Sequence, residues 1–189
     1  LLPANERPPQ NNPVTWEETC LLTAASANGL TDVKQFIAST PMTEADDAIE
    51  AYAKQSFPQG RPLYEACKNL MNRIFADFKF QSGFTTISTP LSVVMKERKG
   101  VCQDFAHLAI ACLRSLGLPT RYISGYIETI PPPGVEKLLG VDASHAWFSV
   151  YIPTSGWVEF DPTHTMIPDS QHIAIGWGRG YDDIPNCQA

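Results

Sequence analysis

No apolar run in these 189 residues reaches the roughly 18–20 needed to cross a bilayer as a helix, so no membrane-spanning segment is expected. Positive charge is also scarce. Fourteen Lys and Arg stand against twenty Asp and Glu, and the net charge of −6 argues against nucleic acid as the main ligand. The five cysteines (Cys20, Cys67, Cys102, Cys112 and Cys187) are odd in number and include no CxxC. Neither a disulfide framework nor a structural zinc pattern is indicated. Reduced thiols in the cytoplasm are the expectation, with a periplasmic location left open. The start, Leu1-Leu2-Pro3, lacks an initiator Met and the layout of a signal peptide. Residues 1–13, rich in Pro, Asn and Gln, read as a linker at the end of a removed upstream domain.

Apolar residues make up 43% of the chain and aromatics 10%, enough to bury one domain's core. The first part reads as helical: a subregion over 14–60, followed by a core over 61–189. Thr15 and Glu18 have the spacing of a capping box, with Leu21, Leu22 and Ala25 as a short apolar face. Thr43 is placed as the cap of a helix running to about Phe57, with Ala45, Ala48, Ile49, Tyr52 and Ala53 at helical spacing. A third helix starts near Pro62 and repeats Ala66, Leu70, Ile74 and Phe78 every four residues. Thr89-Pro90 reads as a cap and first-turn proline before a short helix, and residues 96–99 as its solvated end.

The clearest element is a helix from Cys102 to Leu116. Phe105, Leu108, Ala109, Cys112, Leu113 and Leu116 line one face, Gly117 suits the C′ position and Pro119 blocks continuation. The period then changes to two. Strands are expected over 120–127, 145–152, 157–161 and 172–177, with a long loop over 130–141. Helices first and strands after argue for an α+β fold with an antiparallel sheet.

Cys102, His145 and Asp161 carry the chemistry. A free thiol is mostly protonated at neutral pH and then a weak nucleophile. The open amides and dipole of a helix N-terminus favour its thiolate, and a neighbouring His can take its proton. Alternation puts His145, Trp147, Ser149 and Tyr151 on one face of their strand, and Trp157, Glu159 and Asp161 on one face of the next. With 152–156 as the turn, Trp147 lies opposite Asp161 and His145 is its diagonal neighbour, within side-chain reach. A shorter turn is also allowed and separates the pair.

The runs Lys99-Gly100-Val101-Cys102-Gln103-Asp104-Phe105, Arg121-Tyr122-Ile123-Ser124-Gly125-Tyr126, Ala143-Ser144-His145-Ala146-Trp147 and Gly156-Trp157-Val158-Glu159-Phe160-Asp161-Pro162-Thr163 resemble, in order, the motifs of bacterial transglutaminase-like proteins that act as cysteine peptidases. The resemblance covers about residues 60–185. It implies a papain-like transglutaminase core, with Cys102 as nucleophile, His145 as general base and acid, and Asp161 orienting His145. It also implies a peptide or protein substrate, no cofactor, and a β-rich domain upstream in the full-length protein. Two positions depart from the family pattern: His164 where Asn is common, and Gly180 where Asp is common. Both bear on substrate preference.

Gln81, Gln103 and Trp147 are the candidate substrate or oxyanion contacts, and the Cys102 amide is the natural first oxyanion donor. Zinc held by Cys102, His145 and Asp161 is set aside, because a thiol beside a His–Asp pair makes sense without metal. His107, His164 and His172 read as structural, surface or hydrogen-bonding residues, and Asp104 as a dipole-matching acid. The expected activity is hydrolysis of a peptide or isopeptide amide through an acyl-thioester. Transamidation by the same triad, a non-catalytic peptide-binding module and arylamine acetyl transfer are the alternatives. Nothing in the sequence suggests a coenzyme A site.

Overall fold

A computed structural model describes residues 13–25, 30–128, 143–153 and 155–184. The linker expected over 1–13 (save its last residue), the loop over 130–141 and Cys187 lie outside them. Six helices and six strands are described: α1 Trp16–Ala25, α2 Thr31–Lys34, α3 Asp47–Lys54, α4 Leu63–Asp77, β1 Lys79–Phe80, α5 Leu91–Glu97, β2 Lys99–Gly100, α6 Cys102–Ser115, β3 Thr120–Ile127, β4 Ala143–Ile152, β5 Gly156–Phe160 and β6 His172–Gly178. This is the expected α+β arrangement. Four strands form an antiparallel sheet in the order β5-β4-β3-β6.

Helix α6 is the centre of the molecule. It packs against α3, α4 and α5 on one side and β3 and β4 on the other. Every residue from Asp104 to Arg114 is therefore buried, not the single face that the apolar spacing suggests. Its end matches the sequence reading. Gly117 has φ +82, and the N–H groups of Gly117 and Leu118 donate to the carbonyls of Arg114 and Leu113, a Schellman closure. Ala146, Phe148 and Val150 of β4 and Val158 and Phe160 of β5 join the helices in one core. Each large apolar side chain enclosed there contributes about 1.5–3 kcal/mol relative to exposure.

The N-terminal helices differ from expectation in instructive ways. In α1 the Thr15–Glu18 box is present, each residue's backbone N–H meeting the other's side-chain oxygen at 2.8 and 3.2 Å. The inward residues, however, are Thr19 and Thr23, while Leu21 and Leu22 face solvent. The two threonines can be buried because their hydroxyls donate to the carbonyls of Thr15 and Thr19. Thr43 is not a cap. Asp46 caps α3 by accepting the Ile49 N–H at 2.8 Å, and the helix ends at Lys54. Pro90, rather than Thr89, holds the N-cap position of α5, since the Thr89 hydroxyl accepts the Thr86 N–H instead.

The stretch read as a solvated end, 96–99, is solvated only at Lys96 and Glu97. Arg98 turns left-handed (φ 54) and lies over the rings of Phe78 and Tyr52. Lys99 and Gly100 then pair in parallel with Lys79 and Phe80. That two-stranded ribbon, too short to show a period, fixes the chain as it enters α6.

Candidate active site

Helix α6 starts directly after β2. Val101 sits at the N-cap in extended conformation and Cys102 is the first helical residue. Valine has no oxygen with which to cap, so Asp104 does the work. Its carboxylate accepts the Val101 N–H at 2.8 Å and the Thr85 hydroxyl at 2.6 Å. This is one half of a capping box, tied to the 81–90 loop. Gly100 makes room for it: a Cβ there would stand 2.8 Å from Asp104 Oδ2 and 2.9 Å from Asp104 Cβ. The close approach that Gly100 permits is thus made by the Asp104 side chain.

The Cys102 sulfur receives the backbone N–H groups of Gln103 and of Ala146, the residue after His145. Cys102 at the head of α6 and His145 near the head of β4 are thereby brought together. Burial is the largest influence on the thiol and pushes its pKa up, the two amides pull it down, and the charges of Asp161 and Asp104 push it up again. The sequence led us to expect a thiolate favoured by the helix terminus. In the folded site burial acts against that effect.

His145 is buried, with Nε2 2.9 Å from Asp161 Oδ2. The register responsible pairs Tyr151 with Trp157 and Ile152 with Gly156, the alignment that sets position 147 opposite position 161. With Nε2–H donated to Asp161, Nδ1 keeps the lone pair that can accept a proton. Trp147 stacks against His145 with ring centroids 5.8 Å apart. Gly125, paired with His145 across β3 and β4, has no Cβ to clash with the Trp147 ring, which would lie only 2.6 Å away, or with the Ile173 carbonyl.

Asp161 is fully buried just past β5 and collects five contacts. Oδ1 accepts the N–H groups of Thr163 and His164, while Oδ2 faces His145 Nε2, His164 Nδ1 and His172 Nε2 at 2.9, 2.9 and 3.1 Å. Burial raises its pKa, but the hydrogen bonds of His145, His172 and His164 and the charge of His145 outweigh it and hold the carboxyl well below the usual range.

A sequence model of the transglutaminase-like superfamily matches residues 49–162. The chain belongs to this superfamily. It is 49% identical over 146 residues to an uncharacterized protein of Mycobacterium tuberculosis, covering 75% of this chain and 46% of that one. It is also 33% identical over 73 residues to a protein-glutamine gamma-glutamyltransferase of Pseudomonas aeruginosa, covering 38% of this chain and 11% of that one. Among solved structures, a "putative cysteine protease" from Cytophaga hutchinsonii superposes with a TM-score of 0.67 at 29% identity, covering 82% of this chain and 50% of the other. The chain spans about half the length of the mycobacterial relatives it matches.

Within this superfamily fold the remaining candidates separate. Gln103 bonds the Tyr122 hydroxyl and lines a cavity of about 240 Å³ with Asp104, His107, Met42, Ile87 and Asp182. Gln81 is exposed, and its backbone N–H donates to the Gly100 carbonyl at 2.9 Å, two residues before the nucleophile. Trp147 corrects the reading as a substrate or oxyanion contact: it is fully buried and its indole N–H goes to Glu159 at 2.8 Å, so it forms the wall behind His145. His107 is structural, as expected. It stacks on Tyr122 and accepts the Tyr181 N–H, and burial lowers its pKa to about 4.

The sequence reading missed how His172 and His164 gather on Asp161. The His172 side chain is 1% exposed and that of His164 47%. For His164 the spacing of three from Asp161 was an available signal. His172 reaches the carboxylate from β6 through the sheet order, which no local pattern shows.

Proposed function

We propose that this chain is a thiol-dependent acyl-transfer enzyme that hydrolyses a peptide or isopeptide amide through an acyl-thioester on Cys102. The observation that carries this reading is the convergence of three elements: Cys102 at the start of α6 against the Ala146 amide, His145 at the start of β4, and Asp161 past β5 with its carboxylate 2.9 Å from His145. Burial raises the pKa of the thiol, so attack calls for a base beside the sulfur. His145 Nδ1 removes the thiol proton as sulfur attacks the carbonyl carbon, and Asp161 stabilises the imidazolium that forms. The tetrahedral oxyanion is met by backbone N–H groups at the head of α6, the Cys102 amide first. His145 returns the proton to the departing amine, and water repeats the cycle on the thioester.

The similarity to a "putative cysteine protease" supports hydrolysis, and the similarity to a gamma-glutamyltransferase supports transamidation as the second reading. In a transamidase an amine replaces water in the second step and the triad is unchanged.

The test is mass spectrometry of the protein quenched after mixing with an activated ester or amide. Wild type should gain one acyl group at Cys102, Cys102→Ala should gain none, and His145→Ala should lose at least about a hundredfold in rate, the usual contribution of a general base. Product analysis with an added primary amine separates free acid from amide. No adduct in wild type would sink the enzymatic reading and favour a peptide-binding module.

A further inference from the structure

The surroundings of Asp161 contain more nitrogen than a catalytic carboxylate can use. An ionised carboxylate offers about four lone-pair positions, two on each oxygen. Oδ1 already receives two backbone N–H groups, so three imidazole nitrogens compete for the two positions on Oδ2. Only one of the three, His145, is required by the proposed chemistry.

His172 sharpens the conflict. Its Nδ1 is buried without a hydrogen-bond partner, and the nearest carboxylate is Asp169 Oδ1 at 3.7 Å. A neutral ring that turns its single N–H toward Asp169 presents the Nε2 lone pair to Asp161 Oδ2, two electron pairs face to face at 3.1 Å. A cation between them relieves this, whereas the other tautomer, with Nε2–H donated to Asp161, leaves Nδ1 buried with a bare lone pair. A carboxylate behind one imidazole nitrogen, with the other nitrogen turned inward, is the arrangement around bound transition metals, and Asp169 at 3.7 Å stands close enough to complete it by a small side-chain shift. His145 Nε2, Asp161 Oδ2 and His172 Nε2 all lie within 4.8 Å of one another, compact enough to close on one ion at about 2.0–2.2 Å per ligand with small side-chain shifts. Glu159, held by Trp147 whose ring packs on His172, adds negative charge beside the cluster.

We infer that His145, Asp161 and His172 bind one divalent transition-metal ion of the zinc type, and that this ion switches the thiol site off. The donor set is two imidazoles and a carboxylate, which suits zinc, cobalt or nickel and not calcium or magnesium. It excludes Cys102, and so differs from the zinc trio set aside from the sequence. The inhibitory half rests on the function proposed above. A metal on His145 Nε2 leaves the ring's proton on Nδ1, where it can no longer accept the proton of the Cys102 thiol. The metal displaces the Nε2–H proton of His145 to Nδ1 and releases any further proton carried by His172 to solvent, with no change of oxidation state.

Zinc chloride titrated into the metal-free protein, followed by calorimetry and by metal analysis after gel filtration, tests the site without any substrate. Wild type and Cys102→Ala should each retain one equivalent. His172→Ala should lose it. Asp169→Asn, which keeps the same shape at a half-exposed side chain, should bind at least about tenfold more weakly, the usual effect of removing a partner behind a ligand. Thermal melts without metal show whether His172→Ala has folded, and Asp169→Asn decides the matter if it has not. Cobalt in place of zinc should give the visible absorption of a four-coordinate ion. Zinc should slow alkylation of Cys102 by iodoacetamide in wild type and leave His172→Ala unaffected. Absence of a retained equivalent in wild type overturns the proposal, as does equal retention in a folded His172→Ala or loss in Cys102→Ala. Acyl-enzyme formation without zinc binding would remove the metal site alone. Zinc binding to a protein that forms no acyl-enzyme would remove the activity and its inhibition while leaving the metal site.

Discussion

The two ends of α6 are both polar and each carries one buried charged side chain, Asp104 or Arg114, yet they are built for opposite purposes. At the C-terminal end Arg114 is enclosed, and all of its hydrogen bonds go to fixed acceptors: the carbonyls of Phe36, Thr120 and Arg179 and the Thr43 hydroxyl, at 2.7–2.9 Å. It binds the N-terminal helices, the helix end and the segment after β6 into one unit. At the N-terminal end Asp104 fixes the turn through the Val101 N–H and the Thr85 hydroxyl, while Cys102 stays half-buried beside the amides of Gln103 and Ala146, able to meet a reacting group. One end spends its polarity on structure, while the other keeps some of it in reserve. The difference shows that burial of polar groups alone does not mark an active site. What marks it is a polar group positioned by others with its own capacity unused.

Removing Arg114 should break the comparison most severely. Arg114→Ala takes away a charge that burial already brings down to about pKa 10 and leaves several buried acceptors without a donor. Losses of about 3–5 kcal/mol are typical when such a network is cut. Urea unfolding should register that loss. In whatever fraction remains folded, Cys102 should alkylate at the wild-type rate.

The second effect lies between the two ends, at His107. Its folded pKa, about 4, lies below the ordinary value near 6.5 for an unfolded chain. Between those values the unfolded chain binds the extra proton. Stability is therefore complete above about pH 6.5 and falls as pH drops toward 4. From about pH 7.5 to pH 5 the loss assigned to this group is roughly 2 kcal/mol. His107→Gln, which can still accept the Tyr181 N–H, should show a correspondingly flatter dependence of urea midpoint on pH. An equal slope in both proteins would mean that His107 titrates like an exposed residue.

The contrast between the ends also explains what could be read from the chain. The extent of α6, its glycine stop, strands β3 to β6 and the hairpin register all follow from local periodicity, and they locate Cys102, His145 and Asp161. Arg114 was not legible. Its four acceptors come from positions 36, 43, 120 and 179, distant in sequence and related only by the fold. The same holds for His172, delivered to Asp161 because β6 lies beside β3 and not beside β5. The misplaced apolar face of α1 has a different cause. Threonines that return their hydroxyls to the preceding turn behave as apolar residues, and spacing alone does not reveal that.

The smallest effect on stability should be the most telling about chemistry. Asp104→Ala removes the acceptor of the Val101 N–H and of the Thr85 hydroxyl, a capping loss of about 1 kcal/mol. Because those two bonds fix the turn that carries Cys102, the rate of Cys102 acylation should fall by much more than that stability change implies. Asp104→Asn, which still offers one oxygen to the Val101 N–H, should recover part of the rate. Arg114→Ala and Asp104→Ala would then form a crossed pair, one costing stability with chemistry intact and the other costing chemistry with stability nearly intact. If Asp104→Ala acylates as fast as wild type, the capped first turn is structural in the same sense as the Arg114 end. The positioning of the sulfur would then be credited to the amides of Ala146 and Gln103 alone.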